Sequence, residues 1–377
     1  MRNPFDHEKA LSLCRKLQGI SSSAVGVLIA KGGKVVLKAF SGRLDGDFDR
    51  PGWCEPLFDS KRFLSVEREF ESLMEVDPAS APKYSALCLQ RLWSLYEVPT
   101  LFDGTKGLLE CYDSNPPSGS GDCAGSKLLA KAIREGLSID SLAEMDTATG
   151  AYIEPCQSRC QPLFKAMLGL DIIYKDAEIA VINKDSGMLS IKGRTTEDCV
   201  PYRLQRIYGL KKANLNVHRL DQDTSGLMVL ALTDESQARL QRAFESHLVE
   251  KRYVALVDGL VRDEKGTIEL KSRLDPSNRP HQVLDEERGK LGITHYRRLG
   301  VERRQAGLAT RLELIPITGR THQLRLACAF GLGCPILGDR LYGDPSKAPR
   351  LMLHQAHLGF RHPATAEDMS FDLDPSF

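Results

Sequence analysis

Long apolar runs are missing from this chain of 377 residues. No stretch approaches the roughly 18 apolar residues that a membrane span requires. The N-terminal "MRNPFDHEKA" carries acids where a secretory leader would be apolar. The chain is therefore expected to work in the cytoplasm, with no membrane partner. Cysteine is present, but ten in a chain this long is too few for a secreted disulfide framework, so most are expected to be reduced and buried as small hydrophobes. No repeat recurs at solenoid periods, which excludes a stacked-repeat architecture. What remains is ordinary: 42% apolar and 27% charged residues exclude wholesale disorder. The length suggests two domains.

Net charge is also nearly absent, at +1, yet it hides an asymmetry. Residues 201–350 hold 26 Lys+Arg against 18 Asp+Glu, a local net of +8, which leaves the rest at −7. A basic C-terminal half points to a polyanionic partner.

Near the N-terminus, "AVGVLIA" and "KVVLKAF" flank Lys31-Gly32-Gly33, which predicts a hairpin. From Lys61 to Tyr96 apolar residues recur three and four apart on either side of "DPASAP", predicting two amphipathic helices. A Pro/Gly/Ser-rich loop over Tyr112–Cys123 precedes "AGSKLLAKAIREG", a helix stopped by glycine. Past Leu170 the texture turns to short apolar strands such as "EIAVIN", "LMVLAL", "RYVALVDG" and "LATRLELIPI", with helical "DESQARLQRAFESHL" among them. Strands and helices without a strict βαβ repeat predict an α+β fold, with domains over 1–170 and 171–377.

One segment carries chemistry. "HRLDQDTSG", His218 to Gly226, ends in turn residues just before the apolar "LMVLAL". Arg219 and Asp221 thus lie on a loop held by a buried strand, where catalytic groups are commonly placed. Alone, such an Asp is as readily a turn former. Its companions are Tyr253 in "EKRYVALV", Arg320, His322 and Arg325 in "PITGRTHQLRL", and Leu353 in "PRLMLHQAHLGF".

Together these segments resemble the RluA family of pseudouridine synthases. "VINKDSGMLSIKGR", "HRLDQDTSG", "KRYVALV", "NRPHQV", "PITGRTHQLRL", "PILGDRLYGD" and "LMLHQAHL" occur in the family's order over residues 171–377. "LSIKGR" and "DPSNRPHQV" are most similar to the subfamily acting on short tRNA or rRNA stem-loops. The resemblance implies a mixed, mostly antiparallel sheet flanked by helices and loops. It makes Asp221 the carboxylate of an isomerase that breaks the uridine N-glycosidic bond, turns the base and rejoins C5 to C1′, without cofactor or metal. A carboxylate can attack C1′ or abstract a sugar proton, and both readings stay open.

By the same resemblance Arg325 pairs with Asp221, since an adjacent cation holds a carboxylate ionised. Tyr253 stacks on the target base, with its hydroxyl assisting removal of the C5 proton. Arg219 holds phosphate or fills the space left by the flipped nucleotide. Leu353 lines the base pocket, and Arg320 and His322 contact phosphate or anchor the adjoining helix. "NKDSG" departs from the family's "NKPSG": Asp185 replaces a turn proline, which predicts a less rigid turn.

Residues 1–170 do not resemble the family's usual basic S4 module. "AFSG", "PPSGSGDC" and "PCQSRC" are similar to the N-terminal extension of a bacterial subgroup, with the coiled-coil insertion of longer relatives curtailed or absent after "VEREFESL". An accessory α+β domain is expected there. Cys156 and Cys160, with Cys123, offer three thiols, and Cys111 or Cys54 is the obvious fourth for zinc; buried thiols are the favoured reading.

Two other functions compete. "DSG" at Asp185–Gly187 and "DTSG" at Asp223–Gly226 resemble aspartic protease turns, but Lys184 and the extra serine spoil them. A noncatalytic RNA binder would need no carboxylate beside phosphate. The expectation is a monomeric RNA pseudouridine synthase acting on tRNA or 23S rRNA.

Overall fold

Glycine decides the first hairpin. In the computed structural model, which describes residues 4–304 and 307–377, Lys31, Gly32 and Gly33 all have positive φ. The Asp140 carboxylate accepts from the Gly32 and Gly33 N–H groups at 2.7 and 3.1 Å. The chain divides into two compact units, Met1–Asp176 with Arg203–Lys211, and Ala177–Tyr202 with Lys212–Phe377.

The first unit runs α1 (Glu8–Cys14), β1 (Ala24–Ala30), β2 (Val35–Phe40), α2 (Ser60–Val76), α3 (Ala81–Trp93), β3 (Val98–Pro99), β4 (Thr105–Lys106), α4 (Ala124–Arg134), β5 (Ile139–Asp146), β6 (Tyr152–Ile153), α5 (Cys160–Leu168) and β7 (Asp171–Lys175). Its antiparallel sheet has the order β2-β1-β5-β6. Helices α1 and α4 both pack on β1, so every residue of β1 is buried, which is why "AVGVLIA" reads as a continuous apolar run. The first unit extends past Leu170 and takes back residues 203–211. Arg203 donates to the Gly169 carbonyl and the Tyr208 hydroxyl to the Pro4 carbonyl, both at 2.6 Å, long-range bonds that no local change of texture announces.

The second unit contains β8 (Ile179–Lys184), α6 (Val200–Tyr208, whose last six residues belong to the first unit), β9 (Ser225–Ala231), α7 (Asp234–Glu245), β10 (Glu250–Asp258), β11 (Lys265–Leu274), β12 (Gln282–Leu284), β13 (Lys290–Arg304), β14 (Gly307–Pro316), α8 (Gln323–Leu326), β15 (Leu353–Arg361) and β16 (Asp368–Asp372). The sheet order is β12-β11-β13-β14-β10-β15-β9-β8, with β16 added beside β15. Each of these pairings is antiparallel except β15 with β9. The α+β class and the mixed, mostly antiparallel sheet are as expected. Strands β11 and β13 went unread, because charged residues along their exposed faces interrupt the apolar signal. Among the described residues no helix is long and apolar enough to cross a membrane.

Candidate active site

Three adjacent strands converge on one cavity. Asp221 lies on the loop entering β9, Tyr253 sits in β10 and Leu353 opens β15, and the order β10-β15-β9 makes them neighbours. A cavity of about 610 Å³ is lined by all three, and by Arg219, Arg320 and His322 as well. Arg325 reaches it from α8, and Lys251, Phe244 and Glu245 form a side that sequence reading missed.

The Asp221 loop is fastened almost wholly through main-chain groups. Ser190 Oγ donates to the Leu220 carbonyl at 2.7 Å and accepts from its N–H at 3.1 Å. The Gly187 N–H donates to the Gln222 carbonyl at 2.9 Å, and Ser186 Oγ donates to the Asp223 carbonyl at 2.7 Å. Fully buried Lys184 places Nζ at 3.0, 2.7 and 2.8 Å from the carbonyls of Asp185, Met188 and Gln222. Burial lowers its pKa to about 7, opposed by the carboxylates of Asp185, Asp223 and Asp221. The turn that has Asp185 in place of proline is thus cross-linked to the Asp221 loop, so the missing ring is offset by side-chain hydrogen bonds.

Gly226, the last residue of the quoted motif, has φ +116°, and a Cβ there would stand 2.4 Å from the Gln355 carbonyl oxygen. Glycine is what permits the parallel approach of β9 to β15, where Gly226 faces Gln355. The motif's first residue is architectural too. His218 stacks on Phe244 with centroids 4.5 Å apart, and its Nε2 accepts from the Val229 N–H at 3.1 Å. Burial, with Lys251 nearby, lowers its pKa to about 3, so the ring is neutral.

Asp221 keeps about a fifth of its side chain exposed, and its Oδ2 lies 4.0 Å from His322 Nε2. His322 adopts φ 56° ahead of α8, and its Nδ1 meets the Tyr342 hydroxyl at 2.7 Å. Desolvation holds the imidazole below its usual pKa, with Asp221 pulling the other way. Gln323 fixes the same loop: its Oε1 accepts from Thr318 Oγ1 at 2.8 Å and the Arg320 N–H at 2.9 Å, while Nε2 donates to the Ile293 carbonyl at 2.9 Å.

Two expectations change. Arg325 does not make its hydrogen bonds to Asp221; its guanidinium grips fully buried Asp339, with Nε donating to Oδ2 at 2.8 Å and Nη2 to Oδ1. Asp339 also accepts from the N–H groups of Leu341 and Tyr342 at 2.9 and 3.1 Å, and a sealed cation needs such a satisfied partner. Asp221 acts on Arg325 only through space. The Tyr253 hydroxyl donates to Gln355 Oε1 at 2.5 Å. Burial, reinforced by Asp221, pushes its pKa above the usual tyrosine range, which favours the neutral phenol.

Arg219 and Arg320 are exposed, and among the described residues neither forms an ion pair; Arg320 Nε donates to the Leu291 carbonyl at 3.1 Å. The Asp223 carboxylate of the protease-like "DTSG" is taken by Arg340 at 2.7 and 2.8 Å. Cys123, Cys156 and Cys160 belong to the first unit. Among the described residues no group of three or more His, Cys, Asp or Glu is arranged to hold a metal ion.

Known proteins resemble the second part of this chain. The family described as RNA pseudouridylate synthase matches residues 178–330. The dual-specificity RNA pseudouridine synthase RluA of Haemophilus ducreyi is 42% identical over 216 residues, which cover 55% of this chain and 94% of that protein. The chain belongs to the RluA family of pseudouridine synthases. As a family member it is an isomerase that converts uridine to pseudouridine in RNA. RluA of Escherichia coli (strain K12) is likewise 42% identical, over 213 residues and with the same shares of 55% and 94%. Among solved structures, human RNA pseudouridylate synthase domain containing 1 is 27% identical, covering 55% of this chain and 84% of that one at a TM-score of 0.48.

Proposed function

We propose that Asp221 is the catalytic carboxylate of this RluA-family enzyme and that its substrate is a uridine in a tRNA or 23S rRNA stem-loop, bound by a monomer in the cytoplasm. The observation that carries the reading is the lining of a single cavity by Asp221, Tyr253, Leu353, Arg219 and Arg320. A uridine flipped out of its stack would put its sugar against Asp221 and its base between the Tyr253 ring and Leu353. Asp221 supplies the carboxylate chemistry at the sugar as the base detaches from C1′, turns and rejoins through C5. Arg325, fixed by Asp339, adds a buried positive charge to the cavity wall without forming a hydrogen bond to Asp221. Exposed Arg219 and Arg320 suit RNA phosphate, which makes affinity fall steeply with salt. Ten thiols without a disulfide suit a reducing compartment.

The relatives are named dual-specificity enzymes, which supports testing more than one RNA. Tritium release from uridine C5 in labelled tRNA and 23S rRNA fragments is expected from the wild type. For Asp221→Asn it should fall by about 10³-fold or more, with RNA affinity within a fewfold. An active Asn variant removes Asp221 from its role. Binding without release by the wild type would favour the noncatalytic reading.

A further inference from the structure

The thiols of the first unit take no part in this chemistry, yet they are not scattered. We propose that Cys156 and Cys160 are a hydroperoxide-reactive pair, with Cys156 the sulfur that is oxidised and Cys160 the thiol that closes a disulfide onto it. Cys156 Sγ lies 3.7 Å from Cys160 Sγ, and Cys160 Sγ lies 3.6 Å from Cys123 Sγ. Sulfurs this close need only draw in from 3.7 Å to the roughly 2.05 Å of a disulfide.

The two positions differ in the way such a pair requires. Cys156 is half-buried in the turn before α5, whereas Cys160, the first residue of that helix, is 5% exposed. Burial disfavours the Cys156 thiolate, but the main-chain N–H groups of Cys160 and Arg159 and the Arg159 guanidinium outweigh it, holding the thiol below its usual range. Cys160 is pushed the opposite way, first by its hydrogen bond with Cys123 and then by burial. Elsewhere in the unit burial pushes Cys14 up to about 12, and Cys54 and Cys111 up to about 11. Those thiols stay protonated and inert.

The reaction balances with a hydroperoxide as oxidant. The Cys156 thiolate attacks the outer oxygen, an S–O bond forms, the O–O bond breaks, and the departing oxygen takes a proton to leave as alcohol or, from hydrogen peroxide, as water. The Cys160 sulfur then attacks the sulfenic sulfur. An S–S bond forms, the S–O bond breaks, and the hydroxide leaves as water with the proton of Cys160. Two thiols become one disulfide as one peroxide is reduced. The Arg159 guanidinium beside Cys156 would steady the departing oxygen.

Arg159 separates the two cysteines in sequence, so trypsin releases them on different peptides unless a disulfide joins them. The reduced full-length protein would be treated with stoichiometric hydrogen peroxide and mapped without reductant by mass spectrometry. A Cys156–Cys160 cross-link is expected, retained in Cys123→Ser and absent in Cys156→Ser. Cys156 should also react with iodoacetamide about tenfold faster than any other cysteine. Tryptophan-detected urea unfolding of the reduced Cys156→Ser variant, equal to wild type, certifies the fold of its unit, since Trp53 and Trp93 both lie there. No cross-link, a Cys160–Cys123 link in its place, or an equivalent of zinc retained by the reduced protein would each overturn the proposal.

Discussion

Each unit seals one lysine from water, and the two are used differently. Lys127 in the first unit is 1% exposed and donates to the carbonyls of Phe40 and Gly42 at 3.0 and 3.1 Å, with the Phe40 ring 4.7 Å away. Lys184 in the second is 0% exposed and gathers three carbonyls, one of them from Gln222 next to Asp221. Burial lowers the pKa of both, and nearby carboxylates partly restore it. The same device closes a sheet end in one unit and sets the Asp221 loop in the other. A buried ammonium is a means of ordering loops, and what the loop carries decides whether chemistry follows.

The comparison breaks most sharply at glycine. In Gly226→Ala the new Cβ meets main-chain atoms of Gln355 at 2.4 and 2.5 Å, which cannot move without parting β9 from β15. We expect a loss of roughly 3 kcal/mol or more and no measurable tritium release. Gly125→Ala in the first unit meets the Glu144 side chain at 2.4 Å, which can turn aside, so its loss of stability should be smaller. Equal effects in urea titrations would erase the distinction.

The lysines themselves come next. Lys184→Met takes the Lys184 donor from the Met188 carbonyl, at about 1–3 kcal/mol, and one of two donors from the Gln222 carbonyl, which keeps the Gly187 N–H. It should lower kcat at least tenfold through the Asp221 loop. Lys127→Met should destabilise the first unit comparably while turnover per folded molecule stays unchanged. Both tryptophans, Trp53 and Trp93, lie in the first unit, so their fluorescence reports its unfolding separately from activity. Loss of kcat in both variants would show that burial alone, and not the loop it holds, sets the effect.

A smaller effect is expected from Asp339→Asn. It keeps the shape but removes the charge facing Arg325, so the freed guanidinium should turn into the cavity and lower kcat by about threefold. An unchanged kcat would count against the need for Asp339 to hold Arg325 in place.

The smallest is a slope. Burial pushes Glu144 up to about 7 from 4.5, against main-chain N–H groups of Gly125 and Ala124. Between those values the folded state binds more protons than the unfolded state, so first-unit stability should fall as pH rises from 4.5 to 7. Glu144→Gln should flatten that fall in tryptophan-detected unfolding. An identical slope would assign it to other groups.

Much of this was legible because the Asp221 loop is written locally. Turn residues before a buried strand place Asp221, and an apolar run places Tyr253 within β10. The partner of Arg325 was not legible: Asp339 stands fourteen residues away, in a Gly-Asp turn that looks like any other, and only folding shows it sealed from water. Lys184 and Gln323 escaped for the same reason, since a lysine or glutamine whose polar atoms meet distant main-chain groups reads as an ordinary surface residue.

By itself the sequence determined the α+β class, most of the strands and turns, and the family to which the motifs belong, because periodicity, turn chemistry and motif order are properties of neighbours along the chain. The tertiary structure alone decided who holds whom: Arg325 by Asp339, Tyr253 by Gln355, the Asp221 loop by Lys184, and Cys160 beside Cys123. Those are contacts set by packing and by the cost of leaving a buried polar group unpaired, and they exist only once distant segments have met.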